Sequence, residues 1–189
     1  MAVLNSGRPR NAAATRDSIL QAATRRFSAE GYDDVGVRDI AADVGVDPAL
    51  VVRYFGSKEE LFAAVLDSCD GGEVMDGPRE TFGARLAHDL VYGVNSCDED
   101  LRRLQIMLRS VSSSKAQEIV RRVSEQKFYG PFAEWIGGEH AAVRARLAAA
   151  LMMGMEVNRH VAGGRRQSPE ECQELERRLA AMLQAVIDD

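Results

Sequence analysis

The stretch "VRDIAADVGVDPALVVRYFGSKEEL", residues 37–61, decides how the chain is read. Val37, Ile40, Ala41 and Val44 recur at helical spacing and stop at Gly45, which permits the positive φ of a tight turn. Asp47 is a natural N-cap, and Pro48 stands at the first helical position, where its missing N–H costs nothing. The spacing predicts short helices over 37–44 and 48–54. Ser57 and Glu60 then form the capping box of a helix running to about Cys69. Neither short helix buries enough apolar surface to stand alone. A helix, a glycine turn and a second short helix form the helix-turn-helix signature, whose second helix enters the major groove of DNA. On this register Val51 and Phe55 face the core with Ile40 and Val44. Pro48, Ala49, Leu50, Val52 and Arg53 face outward.

Working outward, residues 11–29 read as the preceding helix. Ile19, Ala22, Ala23 and Phe27 lie on one stripe, and Arg16, Arg25 and Arg26 lie off it. Beyond residue 69, "DGGEVMDGP" (70–78) is the clearest break, because three glycines and a proline cannot continue a helix. Helical stripes follow: Phe82, Leu86, Leu90 and Val94, then Leu101, Leu104, Leu108 and Val111, then Ile119, Val120 and Val123. Gly130-Pro131 is expected to kink or break the last of these, since proline removes a backbone donor. An alanine-rich helix spans about 139–161. Ser168, Pro169 and Glu171 open the final helix, which carries Leu175, Leu179, Met182 and Val186. The fold class is all-α, in two parts. Residues 1–58 form an N-terminal arm and helix-turn-helix domain with a connecting helix over 57–69, and residues 70–189 form a helical body.

Composition bounds the function. Of the 189 residues 46% are hydrophobic, enough for a real core, and 6% are aromatic. No apolar run reaches the roughly 20 residues of a membrane span, and the N-terminus has no apolar signal region. Cys69, Cys97 and Cys172 lack metal or redox spacing, and His88, His140 and His160 form no cluster, so no metal or cofactor is implied and a reduced, cytoplasmic chain is expected. The net charge of −5 argues at first against nucleic acid. Its distribution argues otherwise. Residues 1–58 hold eight basic and seven acidic side chains, a net of +1, which leaves −6 for the rest. No nucleophile–base pair, GxSxG elbow or P-loop is present, so an enzyme is not expected.

The segment "GYDDVGVRDIAADVGVDPALVVRYFGSKEELFAAVL" (31–66) resembles the DNA-binding domain of the TetR family of bacterial transcriptional regulators. Phe27, Gly31-Tyr32, Val37 to Ala41, Gly45-Val46, Tyr54-Phe55 and Ser57 to Leu61 carry the resemblance, over about residues 16–66. It implies a homodimer on a pseudo-palindromic double-stranded DNA operator, repression rather than activation, and a small-molecule effector in the body. It also implies Tyr54 on a phosphate, with Lys58 opening a helix whose N-terminus points at the same strand. Arg38, Arg8, Arg10 and Arg16 are candidate phosphate or minor-groove contacts. The sequence departs from the family at Gly36, where a hydroxyl residue is common, and at Leu50 and Val52, where Thr and Tyr are common. Aliphatic side chains touch thymine methyls but cannot hydrogen-bond base edges, so Arg53 or Arg38 and DNA shape would do the reading.

In the body, Ala145, Ala149 and Met152 with Leu175, Leu179, Met182 and Val186 are candidate dimer contacts, making a two-fold four-helix interface. Phe82, Leu86, Leu104, Met107, Leu108, Phe128, Phe132 and Trp135 are candidate pocket residues for a small, largely apolar effector. The alternative is a helical small-molecule-binding or interaction protein without operator-specific DNA binding.

Overall fold

The computed structural model describes residues 8–68, 72–93, 98–161 and 167–188; the side chains of 8–11, 72–73 and 98–100 fall outside that description. Cys69, Cys97 and Val94 therefore lie outside it. The described residues are helical, with no strand among them. The helices are α1 (Arg8–Ala29), α2 (Val37–Val44), α3 (Pro48–Phe55), α4 (Lys58–Ser68), α5 (Phe82–Tyr92), α6 (Asp98–Ser110), α7 (Ser114–Ser124), α8 (Gly130–Ile136), α9 (Ala141–His160) and α10 (Pro169–Asp188).

The local signals explain the boundaries. Gly45 ends α2 in the left-handed region at φ 71°. Asp47 caps α3 by accepting the Ala49 N–H at 2.7 Å. Ser57 Oγ accepts the Glu60 N–H at 3.1 Å at the start of α4. The Ser168–Glu171 capping box is complete: Ser168 Oγ accepts the Glu171 N–H at 3.2 Å, and Glu171 Oε2 accepts the Ser168 N–H at 2.7 Å. Helix α3 extends one residue past its expected end, to Phe55.

Of the kink or break expected at Gly130-Pro131, the break does not occur. Residues Glu125–Tyr129 form a π-helical turn joining α7 to α8, in which the Gly130 N–H reaches back to the Glu125 carbonyl. The wider turn lets the helical backbone pass the position where proline has no N–H to donate, so α7 and α8 stay contiguous.

The residues fall into two compact units. The first runs to Ser68 and takes in Gln105–Arg121; the second is Cys69–Leu104 with Arg122–Asp189. In the first, Ile19, Ala22, Ala23, Phe27, Ile40, Ala41, Leu61, Phe62 and Val65 are buried. Phe27, Tyr32 and Phe62 make an aromatic cluster with centroid separations of 4.9–6.1 Å. Full burial of each such side chain contributes about 1.5–3 kcal/mol. Ile106, Ala116 and Ile119 are buried in the same unit.

The core of the second unit joins Phe82, Ala87 and Leu90 of α5, Phe132 and Ile136 of α8, Ala145 and Ala148 of α9, and Leu179, Leu183 and Ile187 of α10. Gly83 lets α5 press onto α10. A Cβ there would stand 2.8 Å from Gln184 Cβ and N, and the Gly83 N–H donates to Gln184 Oε1 at 2.9 Å. No described helix is long and apolar enough to cross a membrane.

Candidate nucleic-acid interface

The helix-turn-helix is fixed from behind. Val51 and Phe55, one turn apart on α3, are 1% and 7% exposed, while Val52, about a quarter-turn round from Val51, is 49% exposed. Ala49 and Arg53 are exposed beside it; Pro48, Leu50 and Tyr54 are half-buried flanks. Of the outward set expected from the sequence, Ala49, Val52 and Arg53 are therefore the most prominent. Arg38 is exposed at the start of α2.

The flanking cations are held in defined positions. The Arg16 guanidinium lies 4.8 Å from the centroid of the Phe55 ring, so α1 presents a charge at the end of α3. Arg8 and Arg10 fall in the first turns of α1, which starts three residues earlier than expected; their side chains are not among those described. Lys58, the first residue of α4, holds its ammonium 4.3 Å over the Tyr32 ring. Burial, with the Glu59 carboxylate beside it, pushes the Tyr32 hydroxyl up to about 12. Glu59 is held below the ordinary carboxylate range, first by a backbone N–H and the Ser57 hydroxyl, then by the Lys115 charge and Tyr32.

Two clamps were not anticipated from the sequence. Arg26 grips Asp43 with Nε and Nη2, at 2.7 and 2.8 Å, and reaches Glu30 at 3.0 Å, tying α1 to α2. Those guanidinium bonds hold the Asp43 carboxyl below its ordinary range. Arg109, near the end of α6, donates from Nε to the Ser28 carbonyl at 2.8 Å, close to the end of α1. Amphipathic patterning carries no trace of either clamp. Only an i, i+4 Arg26–Glu30 spacing hinted at the first.

Residues 80–187 match the family described as "Tetracyclin repressor-like, C-terminal domain", and residues 19–65 match "Bacterial regulatory proteins, tetR family". The chain belongs to the TetR family. The transcriptional repressor Rv3405c of Mycobacterium tuberculosis is 50% identical to this TetR-family chain over 50 residues, 26% of the chain and 27% of that relative. The chain thus spans about a quarter of the length of the curated relatives it matches. A solved TetR-family regulator from Streptomyces coelicolor A3 aligns over 97% of this chain and 100% of its own, with 25% identity and a TM-score of 0.59. Salmonella enterica GusR shares the fold at 17% identity and a TM-score of 0.68, over 98% of this chain and 100% of its own. The family is one of transcriptional regulators, not enzymes.

The expected body residues divide. Phe82 and Phe132 are fully buried and, with half-buried Phe128 and Trp135, form one aromatic cluster with centroids 5.3–5.9 Å apart. Leu86 packs against this core and Leu104 is buried. Met107 and Leu108 belong to the first unit instead, and Leu108 is 43% exposed because it turns outward near the end of α6. Among the expected dimer contacts, Ala145 and Leu179 belong to the protomer's own core, and Ala149 is 8% exposed. All three are buried within the chain itself. Met182 is 51% exposed; Met152, Leu175 and Val186 are half-buried.

Proposed function

We propose that this TetR-family chain is a transcriptional repressor that binds a pseudo-palindromic operator as a homodimer and releases it when a small, largely apolar effector enters the body. The observation that carries the reading is α3 itself. One side is locked by Val51 and Phe55, and the other offers Ala49, Val52 and Arg53 with no core left to cover. A helix held from behind in this way suits the major groove. Apolar contact from Val52 to a thymine methyl and hydrogen bonds from Arg53 or Arg38 to a base edge would supply specificity. Tyr54, Lys58 and Arg16 suit the flanking phosphates.

The dimer is supported by α9. Val143, Leu147, Ala150 and Gly154 follow one another at three- and four-residue steps down its outer side, Val161 follows just past its end, and Val143, Leu147 and Val161 are 65%, 51% and 66% exposed. So large an uncovered apolar stripe suits a second copy of the same helix, with Met182 of α10 adding to it. Control is supported by α6 and α7. Each belongs partly to both units, and Arg109 fastens the α6 end to Ser28. An effector must favour the DNA-incompetent arrangement, since equal affinity for both shifts nothing.

The test is a gel shift with the chain's own upstream DNA against a scrambled duplex. Specific retardation by a dimer, on half-sites about one helical turn (~34–36 Å) apart, is the expected result. Equal binding to both duplexes would leave the chain a helical ligand-binding or interaction protein.

A further inference from the structure

The inward side of α9 changes character along its length. Ala145, Ala148 and Met152 turn toward the core, and at the same helical register the next inward positions are Met155 and then Arg159. Arg159 is 9% exposed. Its Nη2 donates to both carboxylate oxygens of Glu156 at 2.7 Å. Its Nε and Nη1 are buried and have no hydrogen-bond partner among the described residues. His160 completes the cluster, with Nδ1 3.1 Å from the Glu156 carbonyl oxygen and 3.2 Å from Glu156 Oε2. A guanidinium with two idle buried donors costs stability at a position where methionine would serve the core better.

We infer that Arg159 is the polar end of a small-molecule site on the inward side of α9, and that it takes an uncharged ligand through carbonyl-type acceptor oxygens. The charge arithmetic selects the class. Glu156 already neutralises Arg159, so the cluster lacks acceptors and not negative charge. A carboxylate ligand would bring a second anion beside Glu156 into a buried setting, at a desolvation cost that a ketone, ester, lactone or amide oxygen avoids. Met155 and Met152, half-buried and packed against the core, offer adaptable apolar surface about one and two turns along α9 from Arg159. The inference rests on the proposed function only in taking the body as the seat of a small molecule.

Calorimetric titration of the full chain with three one-ring probes of similar size tests it: acetophenone, ethylbenzene and benzoate. Acetophenone is expected to bind at least about tenfold tighter than ethylbenzene, and benzoate no tighter than ethylbenzene. Arg159→Met should erase the acetophenone advantage and keep ethylbenzene binding. Glu156→Gln leaves the guanidinium charge unmatched and should move the preference toward benzoate by about tenfold, a reversal that a merely structural ion pair would not produce. If Arg159→Met does not fold, the order of probes on Glu156→Gln decides alone. Equal affinity for acetophenone and ethylbenzene, as for donors satisfied only by water, overturns the inference. So does an absence of binding by all three probes, or an unchanged order on Glu156→Gln. Binding in the expected order with operator affinity unaltered would instead overturn effector control of DNA binding and leave this site standing.

Discussion

Lys58 has two claims on its ammonium: the Tyr32 ring 4.3 Å away and, in the proposed complex, a phosphate. A cation–π contact at a half-exposed site contributes about 0.5–1 kcal/mol, less than a charge-assisted phosphate bond, so DNA should win. Lys58→Ala is then expected to weaken operator and random duplex alike and to flatten the salt slope by about one unit; an unchanged slope would leave Lys58 on Tyr32. Arg53→Ala should behave differently. Loss of a base contact costs the operator about 1–3 kcal/mol and random DNA much less, readable from the ratio of the two affinities. Asp43 gives a pH signature. Its folded-state pKa is depressed below 3.8 by Arg26, so its stabilising effect is full above that value and fades as pH falls through the lower, folded one. Thermal melts of Asp43→Asn should fall below wild type at neutral pH and converge with it on strong acidification.

At the scale of elements, what could be read in the sequence was what is decided within a turn of the chain. Gly45, Asp47, Ser57 and the Ser168–Glu171 box mark helix ends because capping needs only neighbours, and each contributes the bond its residue type implied. Asp47→Ala should accordingly cost about 1 kcal/mol in a denaturant titration. At Gly130-Pro131 the chain stays helical where a break was one of the expected outcomes, because a π turn one residue wider than the assumed periodicity intervenes, and no residue type announces it. The outward side of α3 was legible as a register, but not which members protrude. Pro48 and Leu50 turn out to be flanks, which depends on how deeply the helix sits on its neighbours. Arg109 and Arg159 were invisible for a different reason: each matters through a partner or a burial that spacing along a surface helix does not encode.

At the scale of the molecule, buried and exposed apolar residues of α9 and α10 must be kept apart. Leu147→Glu, on the 51% exposed outer stripe, is expected to give a folded monomer with weak operator binding. Leu179→Glu, 4% exposed in the core, is expected to unfold the second unit by burying an unpaired charge. Light scattering with circular dichroism separates the two outcomes, and a Leu147→Glu protein that stays dimeric would remove α9 from the interface. The membership of Gln105–Arg121 in the first unit has a consequence for engineering. A chimera spliced at residue 69, grafting this head onto a foreign body, would leave behind Ile106, Ala116, Ile119 and the Arg109 bond to Ser28. The transplantable cassette is a mosaic of two separate stretches. A graft that carries only the first inherits the recognition helix without the fastening that keeps α1 in place beneath it.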